Sequence, residues 1–395
     1  MAQDAKLDLQ VAYCSLRGAE AGYDPEFGRS VKWDVPLLDG YNWTHVPNRS
    51  SGSESFFGLY NPGLWKLIRQ GHFDAVLCQL SYLQCSFWTS YLAARGRQVP
   101  FLCVTDASSM EPRDGKKWKI LVKKLAWPLL FRMFSQVLTA SSAGLEMMRS
   151  LGIPELRISM ILDTVDNDWW SAEAGRVNRD AVRASWGVDN EEKVILFCAK
   201  LQPWKRPLDV LHAFADASIS RSTLIFAGDG ALRSSIEAEA SALGLGKRVR
   251  VLGFVNQSQL PAVYRAADVM VIPSEYEPFG LVVNEAMLCG CVVIASDKVG
   301  AVRDLIFPGR TGYVYPCGNT RALATALCDA FADPTKLAEI GQAAGNRITQ
   351  WSPRASAAAI RDAIVRAAVG TAQVSRHGTG DTVDSALSTD RYTTL

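Results

Sequence analysis

Glu277-Pro-Phe-Gly-Leu-Val-Val-Asn-Glu285, running on into Ala286-Met-Leu-Cys-Gly290-Cys-Val-Val-Ile-Ala295, is the stretch that decides how this chain reads. Before it, residues 269–273 form an apolar run of strand type. After it, apolar positions recur at helical spacing until Gly290 supplies a stop. Gly280 frees the backbone between the two, so the turn presents the N–H groups of Phe279, Gly280 and Leu281 at a helix N-terminus. Unsatisfied donors and partial positive charge make such a terminus a phosphate site. Glu277 and Glu285 would repel that phosphate, so they are expected to face neutral hydroxyls, which a sugar or a ribose offers in pairs. A nucleotide-sugar site follows from the combination.

Working outward, residues 194–199, 223–227, 249–253, 269–273 and 292–295 read as strands. Helical patterns alternate with them at 207–216, 231–243, 260–266 and 279–288. That is a doubly wound parallel sheet, whose ligands lie at the C-terminal ends of its strands. The first half shows a similar but looser alternation, with strand-like runs at 9–13, 74–80, 99–105 and 136–141 and a long polar, glycine-bearing region up to about residue 58.

At these residues the chain resembles the retaining glycosyltransferases of family 4, which have the GT-B fold. The Glu, seven residues, Glu spacing followed by Ala286-Met287 carries the resemblance. So do Leu196-Phe-Cys-Ala-Lys200-Leu-Gln-Pro-Trp-Lys205-Arg-Pro207, Phe226-Ala-Gly-Asp-Gly230, Val251-Leu-Gly-Phe254 and residues 267–274. It covers residues 190–345 closely and the first half only in outline. The resemblance implies an α/β architecture of two Rossmann-like domains facing each other across a cleft. On that basis we expect an N-terminal, acceptor-side domain at 1–165, a linker at 166–190, a nucleotide-sugar domain at 191–350, a C-terminal helix crossing back at 351–368 and a disordered tail at 369–395.

The family's roles carry over residue by residue. Lys200 and Lys205 stand where relatives place cations on the donor diphosphate, and a departing nucleoside diphosphate needs such charge. Lys200 in place of Arg keeps the charge and loses the bidentate fork. The resemblance puts Glu285 on the ribose and Glu277 on the transferred sugar, with Phe279, Gly280 and Leu281 at the donor. Gly253 and Phe254 approach the nucleobase through the backbone. Gly18 is the candidate for the loop glycine near the donor phosphate, where relatives often have two. Asp106 stands about where many relatives have a histidine, and either orients the acceptor or caps a helix. Gly228-Asp-Gly230 lacks the third glycine of a dinucleotide fingerprint, since Arg233 fills that position, and reads as a tight turn.

The function implied is transfer of a hexosyl group from a nucleoside diphosphate sugar to a carbohydrate or lipid-linked acceptor, with retention. In the family the leaving phosphate takes the acceptor proton, so no protein base is needed. The alternatives on the same fold are a nucleotide-sugar epimerase and a catalytically silent sugar-binding protein.

Bulk properties fit without naming a partner. At 395 residues, with 48% hydrophobic and 21% charged residues, the chain is long enough for two cores. A net charge of +2 gives no electrostatic footprint for nucleic acid. Nine cysteines without a Cys-x-x-Cys pair read as reduced core thiols of a cytoplasmic protein, and four scattered histidines show no metal spacing. No resident cofactor or metal is expected. Asp24-Pro-Glu-Phe-Gly28, with residues 33–43, is an acidic and aromatic region suited either to acceptor recognition or to a core. Lys116 to Trp127 is a basic amphipathic stretch in which Trp118, Leu121, Val122 and Leu125 share a face and Pro128 marks a break or kink. It rests either on the domain or, peripherally, on an anionic membrane.

Overall fold

A computed structural model describes residues 1, 7–52, 55–111 and 115–377, with side chains through residue 369. The second half contains one six-stranded sheet: β9 (Lys193–Cys198), β10 (Ser222–Ala227), β11 (Val249–Gly253), β12 (Val269–Ile272), β13 (Val292–Ser296) and β14 (Tyr313–Tyr315). Its order is β11-β10-β9-β12-β13-β14, with all pairs parallel. The alternation along β9 shows why it must be covered twice. Val194, Leu196 and Cys198 enter one core layer with Tyr264, Met270 and Ala286, while Ile195 and Phe197 enter the other with Leu211, Phe214 and Leu327. Strands buried on both faces read as continuous apolar runs.

The first half divides its strands among three sheets. Strands β1 (Gln10–Tyr13) and β4 (Asn42–His45) pair in parallel, and β2 (Gly22–Asp24) and β3 (Arg29–Val31) form an antiparallel hairpin. The region taken from sequence as polar loop therefore holds three short strands. Strands β5 (Val76–Cys78), β6 (Phe101–Thr105), β7 (Gln136–Thr139) and β8 (Ile158–Met160) form a parallel sheet in that order. One face of it packs on Phe87, Tyr91, Phe131 and Phe134. Its other face, through Leu102 and Leu138, is covered by Ala363 and Ala367 of the last helix, Pro353–His377. Arg366 also donates to Ser159 Oγ at 2.7 Å. The C-terminal helix is thus a layer of the N-terminal half.

Three sequence expectations change. The stretch 166–190 is not an irregular linker but two helices, Asn167–Arg176 and Arg179–Ser185. Asp166 and Asn178 cap them by accepting the N–H of Trp169 and Ala181, and these short cap signals outweighed the fading periodicity. Pro128 does not end its helix, which spans Trp118–Arg132. Residues 369–377 continue the last helix rather than opening a tail, and residues 378–395 lie outside the described residues.

The halves are joined where the outgoing and returning chains meet. The Asp163 carbonyl accepts both Asn284 Nδ2 at 3.0 Å and Trp351 Nε1 at 2.9 Å. Asn167 Nδ2 donates to the Ile348 carbonyl at 3.1 Å, and Ser356 Oγ to the Leu162 carbonyl at 2.9 Å. Trp351 is buried and stacks on Phe279, with ring centroids 5.8 Å apart and planes at 14°. Truncating a buried Trp leaves a large void and here also removes one of the two donors to the Asp163 carbonyl. Trp351→Ala is expected to lower the unfolding free energy by about 3–5 kcal/mol, read from urea denaturation; a loss under about 1 kcal/mol would show that the crossing does not depend on this ring.

Candidate functional site

Strand order reverses between β9 and β12, which places a crevice at their C-terminal ends. The loops leaving these two strands carry Lys200, Lys205 and Glu277. The first loop is braced by the Gly228-Asp-Gly230 turn: Leu201 N–H donates to the Asp229 carbonyl at 2.9 Å and Leu232 N–H to the Leu201 carbonyl at 3.0 Å. A Cβ on Gly228 would lie 1.9 Å from the Ala199 carbonyl oxygen, so a glycine is required for the two segments to pass. That turn supports the lysine loop, which the sequence reading did not foresee.

Lys205 Nζ donates to Glu277 Oε2, bringing together the two side chains assigned to diphosphate and sugar. Arg206 is engaged elsewhere, with Asp209 and Glu275. The Glu277 backbone is fixed by Gly300, whose N–H donates to its carbonyl at 3.0 Å. Gly280 caps the helix Leu281–Leu288 with φ of +100°, a conformation that favours glycine. Among the described residues no hydrogen bond engages the N–H of Phe279, Gly280 or Leu281. The Phe279 side chain itself is core, stacked under Trp351, so only its backbone can serve a ligand.

Glu285 lies one helical turn inside and is 8% exposed. Its Oε2 accepts the Tyr264 hydroxyl at 2.8 Å, and Tyr264 Oη also lies 3.3 Å from Cys198 Sγ. Burial pushes the Glu285 carboxyl up to about 7, against the lowering effect of hydrogen bonds from Tyr264 and Gln257. Tyr264 is the residue sequence reasoning missed. Its position in the apolar helix Leu260–Ala266 looked like core, and only the fold aims its hydroxyl at Glu285.

The first half contributes less than expected at some positions and more at others. Gly18 has φ of +96°, and its carbonyl accepts Trp33 N–H at 3.1 Å with the Trp33 ring against its Cα. Asp106 is exposed at the end of β6, and no helix starts there for it to cap. Its charge, after burial, helps raise the Asp163 carboxyl to about 6. Phe254 meets Phe27 edge-on at 5.0 Å, lies 6.0 Å from Trp33, and carries the Arg29 guanidinium at 5.0 Å. Lys200 Nζ donates across the cleft to Glu26 Oε2 at 2.5 Å and Asp24 Oδ2 at 3.1 Å. Among the described residues no group of three or more His, Cys, Asp or Glu side chains is placed to hold a metal ion.

Residues 178–347 match the family described as Glycosyl transferases group 1. The chain is 36% identical over 184 residues to the D-inositol 3-phosphate glycosyltransferase of Rhodococcus opacus, covering 44% of this chain and 41% of that protein. It is 32% identical over 232 residues to D-inositol 3-phosphate glycosyltransferase 2 of Catenulispora acidiphila, covering 56% and 53%. The chain thus spans about half the length of these curated relatives. The Anabaena Alr3699/HepE structure in complex with UDP superposes with a TM-score of 0.63 at 22% identity, over 85% of this chain and 86% of that one. The two-domain architecture is the GT-B fold.

The Glu285 carboxyl is held in an unfavourable place. Its folded value near 7 lies above the ordinary 4.5, so its contribution to stability is fully present below about 4.5 and is lost as the pH rises through 7. Gln keeps an acceptor for Tyr264 and never ionises. Glu285→Gln is therefore expected to match the parent's stability near pH 4.5 and to exceed it by up to about 3 kcal/mol at pH 8. Parallel denaturation curves at both pH values would remove the claim that this carboxylate is strained.

Proposed function

We propose that the protein is a retaining hexosyltransferase, taking a hexosyl group from a nucleoside diphosphate sugar. The observation that carries this reading is the convergence of Lys200, Lys205 and Glu277 at the strand-order reversal, with Glu285 buried behind them. The Anabaena neighbour, whose structures are titled as complexes with UDP, with UDP and glucose and with UDP-glucose, supports a donor of this class. The diphosphate would lie between the N–H groups of Phe279, Gly280 and Leu281 and the two lysines, and Glu285 would hold the ribose. Glu277 would face the sugar. Charge developing on the leaving diphosphate is then met by lysines rather than by a bound metal. A cytoplasmic location fits nine free cysteines, six of them buried.

Lys205→Ala is expected to reduce turnover by about a hundredfold or more with the fold intact, as loss of one transition-state charge contact typically does. The readout is release of nucleoside diphosphate from a panel of UDP-, GDP- and ADP-sugars with a crude acceptor pool. Near-parent turnover would separate Lys205 from the diphosphate.

The acceptor is proposed to be lipid-linked. Trp118, Leu121, Val122, Leu125, Leu129 and Met133 line the outside of the helix Trp118–Arg132 and its cap, each 44–70% exposed, while Trp127 and Phe131 turn inward. The apolar face predicted from sequence is therefore the outer one, not the packing face. Lys117 and Lys124 are exposed beside it. A face of this kind suits the headgroup region of an anionic bilayer. No helix among the described residues is long and apolar enough to cross a membrane. Co-sedimentation with vesicles of anionic phospholipid at low salt is expected, and Leu121→Asp with Leu125→Asp should abolish it. Absence of sedimentation by the parent would favour a soluble acceptor.

A further inference from the structure

Asp24-Pro-Glu-Phe-Gly28, the acidic and aromatic stretch read from sequence as a candidate for acceptor recognition, forms the turn of the β2–β3 hairpin and reaches across to Lys200. The three pairs of this hairpin are Gly22 with Val31, Tyr23 with Ser30 and Asp24 with Arg29. Asp24 Oδ1 shapes the turn by accepting the N–H of Glu26 at 2.9 Å and of Phe27 at 3.2 Å. On the far side, Lys200 Nζ is held by Asp24 Oδ2 at 3.1 Å and Oδ1 at 3.4 Å, by Glu26 Oε2 at 2.5 Å and by the Phe27 ring at 4.8 Å. Gln202 Nε2 donates to the Glu26 carbonyl at 2.5 Å.

We infer that this hairpin is an intramolecular occupant of the diphosphate position, its two carboxylates lying on Lys200 in place of the donor's anionic oxygens and leaving when a nucleoside diphosphate enters. The inference rests on the donor reading of Lys200 given above.

Electrostatics and donor count both support exclusion. An ammonium has three N–H donors, and here Asp24 and Glu26 take them up. Lys205 is likewise engaged by Glu277. A diphosphate brought to Lys200 with the hairpin in place would face two carboxylates at contact range, a like-charge arrangement that costs more than the shared cation returns. Arg17, 3.5 Å from Asp24, is the other cation facing this carboxylate.

The hairpin is also built to leave. Two strands of three residues are marginal by themselves. Besides the packing on Phe254, its other ties to the second domain are short polar contacts at the rim: Asn256 Nδ2 to the Lys32 carbonyl at 2.9 Å, and Ser258 N–H and Oγ to Asp34 at 2.9 and 2.5 Å. Such ties are individually weak and remake readily with water. Phe27 and Trp33 against Phe254 give the docked hairpin its register, next to Gly253, where the nucleobase is expected. Release of the hairpin therefore frees the cation and the base subsite together. Donor affinity is reduced by the fraction of molecules in which the hairpin is docked.

The test uses the full chain with Asp24→Asn and Glu26→Gln combined, which keeps the side-chain shapes and the turn acceptor while removing both charges. Titration calorimetry with UDP, GDP and ADP should show the nucleotide that binds the parent binding the double variant about tenfold more tightly. Equal or weaker binding by the variant overturns the inference and leaves the donor reading standing. Binding of none of the three by either protein overturns both. Hydrogen exchange on the parent supplies an independent readout: amides of residues 22–31 should lose protection when that nucleotide is added. A gain in protection there would make the hairpin a cover that closes over the donor, contrary to the inference.

Discussion

The carbonyl of Asp163 is the point on which the two-domain arrangement depends. One oxygen, with two lone pairs, accepts Asn284 from the helix that carries Glu285 and Trp351 from the returning chain. Both donors are buried or nearly so, and a buried donor without a partner is expensive. The outgoing strand, the motif helix and the crossover are therefore locked at one atom. Everything that crosses the cleft inherits its distance from that lock, including the reach of the hairpin to Lys200. A second set of contacts between the halves, Ser142 N–H to Asp304 Oδ2 at 3.1 Å and Arg303 to Glu146 at 2.7 Å, joins the helix Ser142–Ser150 to the helix Val302–Leu305.

Within the cleft the charges are compensated by the protein itself. Lys205 rests on Glu277, Lys200 on Asp24 and Glu26, and Arg206 on Asp209 and Glu275. Each cation that a diphosphate would need already has an anion beside it. Such a site keeps its lysines in place in the absence of ligand, at the expense of having to exchange partners when a ligand arrives. Glu285 is the exception. It is buried with the neutral partners Tyr264 and Gln257 rather than a cation, and its raised proton affinity follows from burial in that environment.

The outer surface of the first domain shows a similar division of labour. The helix Trp118–Arg132 anchors with Trp127, Phe131 and the half-buried Leu130 and leaves Trp118, Leu121, Val122, Leu125 and Leu129 in solvent. Nothing in the domain needs those side chains for packing. A row of large apolar side chains pointing outward is unusual for a surface that meets only water.

Sequence by itself determined the second domain and the identity of its chemical groups. Apolar runs buried on both faces, the turn glycines and the Glu277 to Glu285 spacing are local patterns, and they mark β9 to β13 and their helices without needing to know which strands pair. Local pattern misled where short caps replaced periodicity, as at Asp166 and Asn178, and where Pro128 was tolerated within a helix. What only the tertiary structure decided is which groups meet. Tyr264 reaches Glu285 across 21 positions, Lys200 reaches Asp24 across 176, and the last helix covers a sheet formed far earlier in the chain. No periodicity encodes such encounters, because each depends on the sheet order and on the rotation of one domain against the other. The residues of the site were legible, while their partners were set by packing.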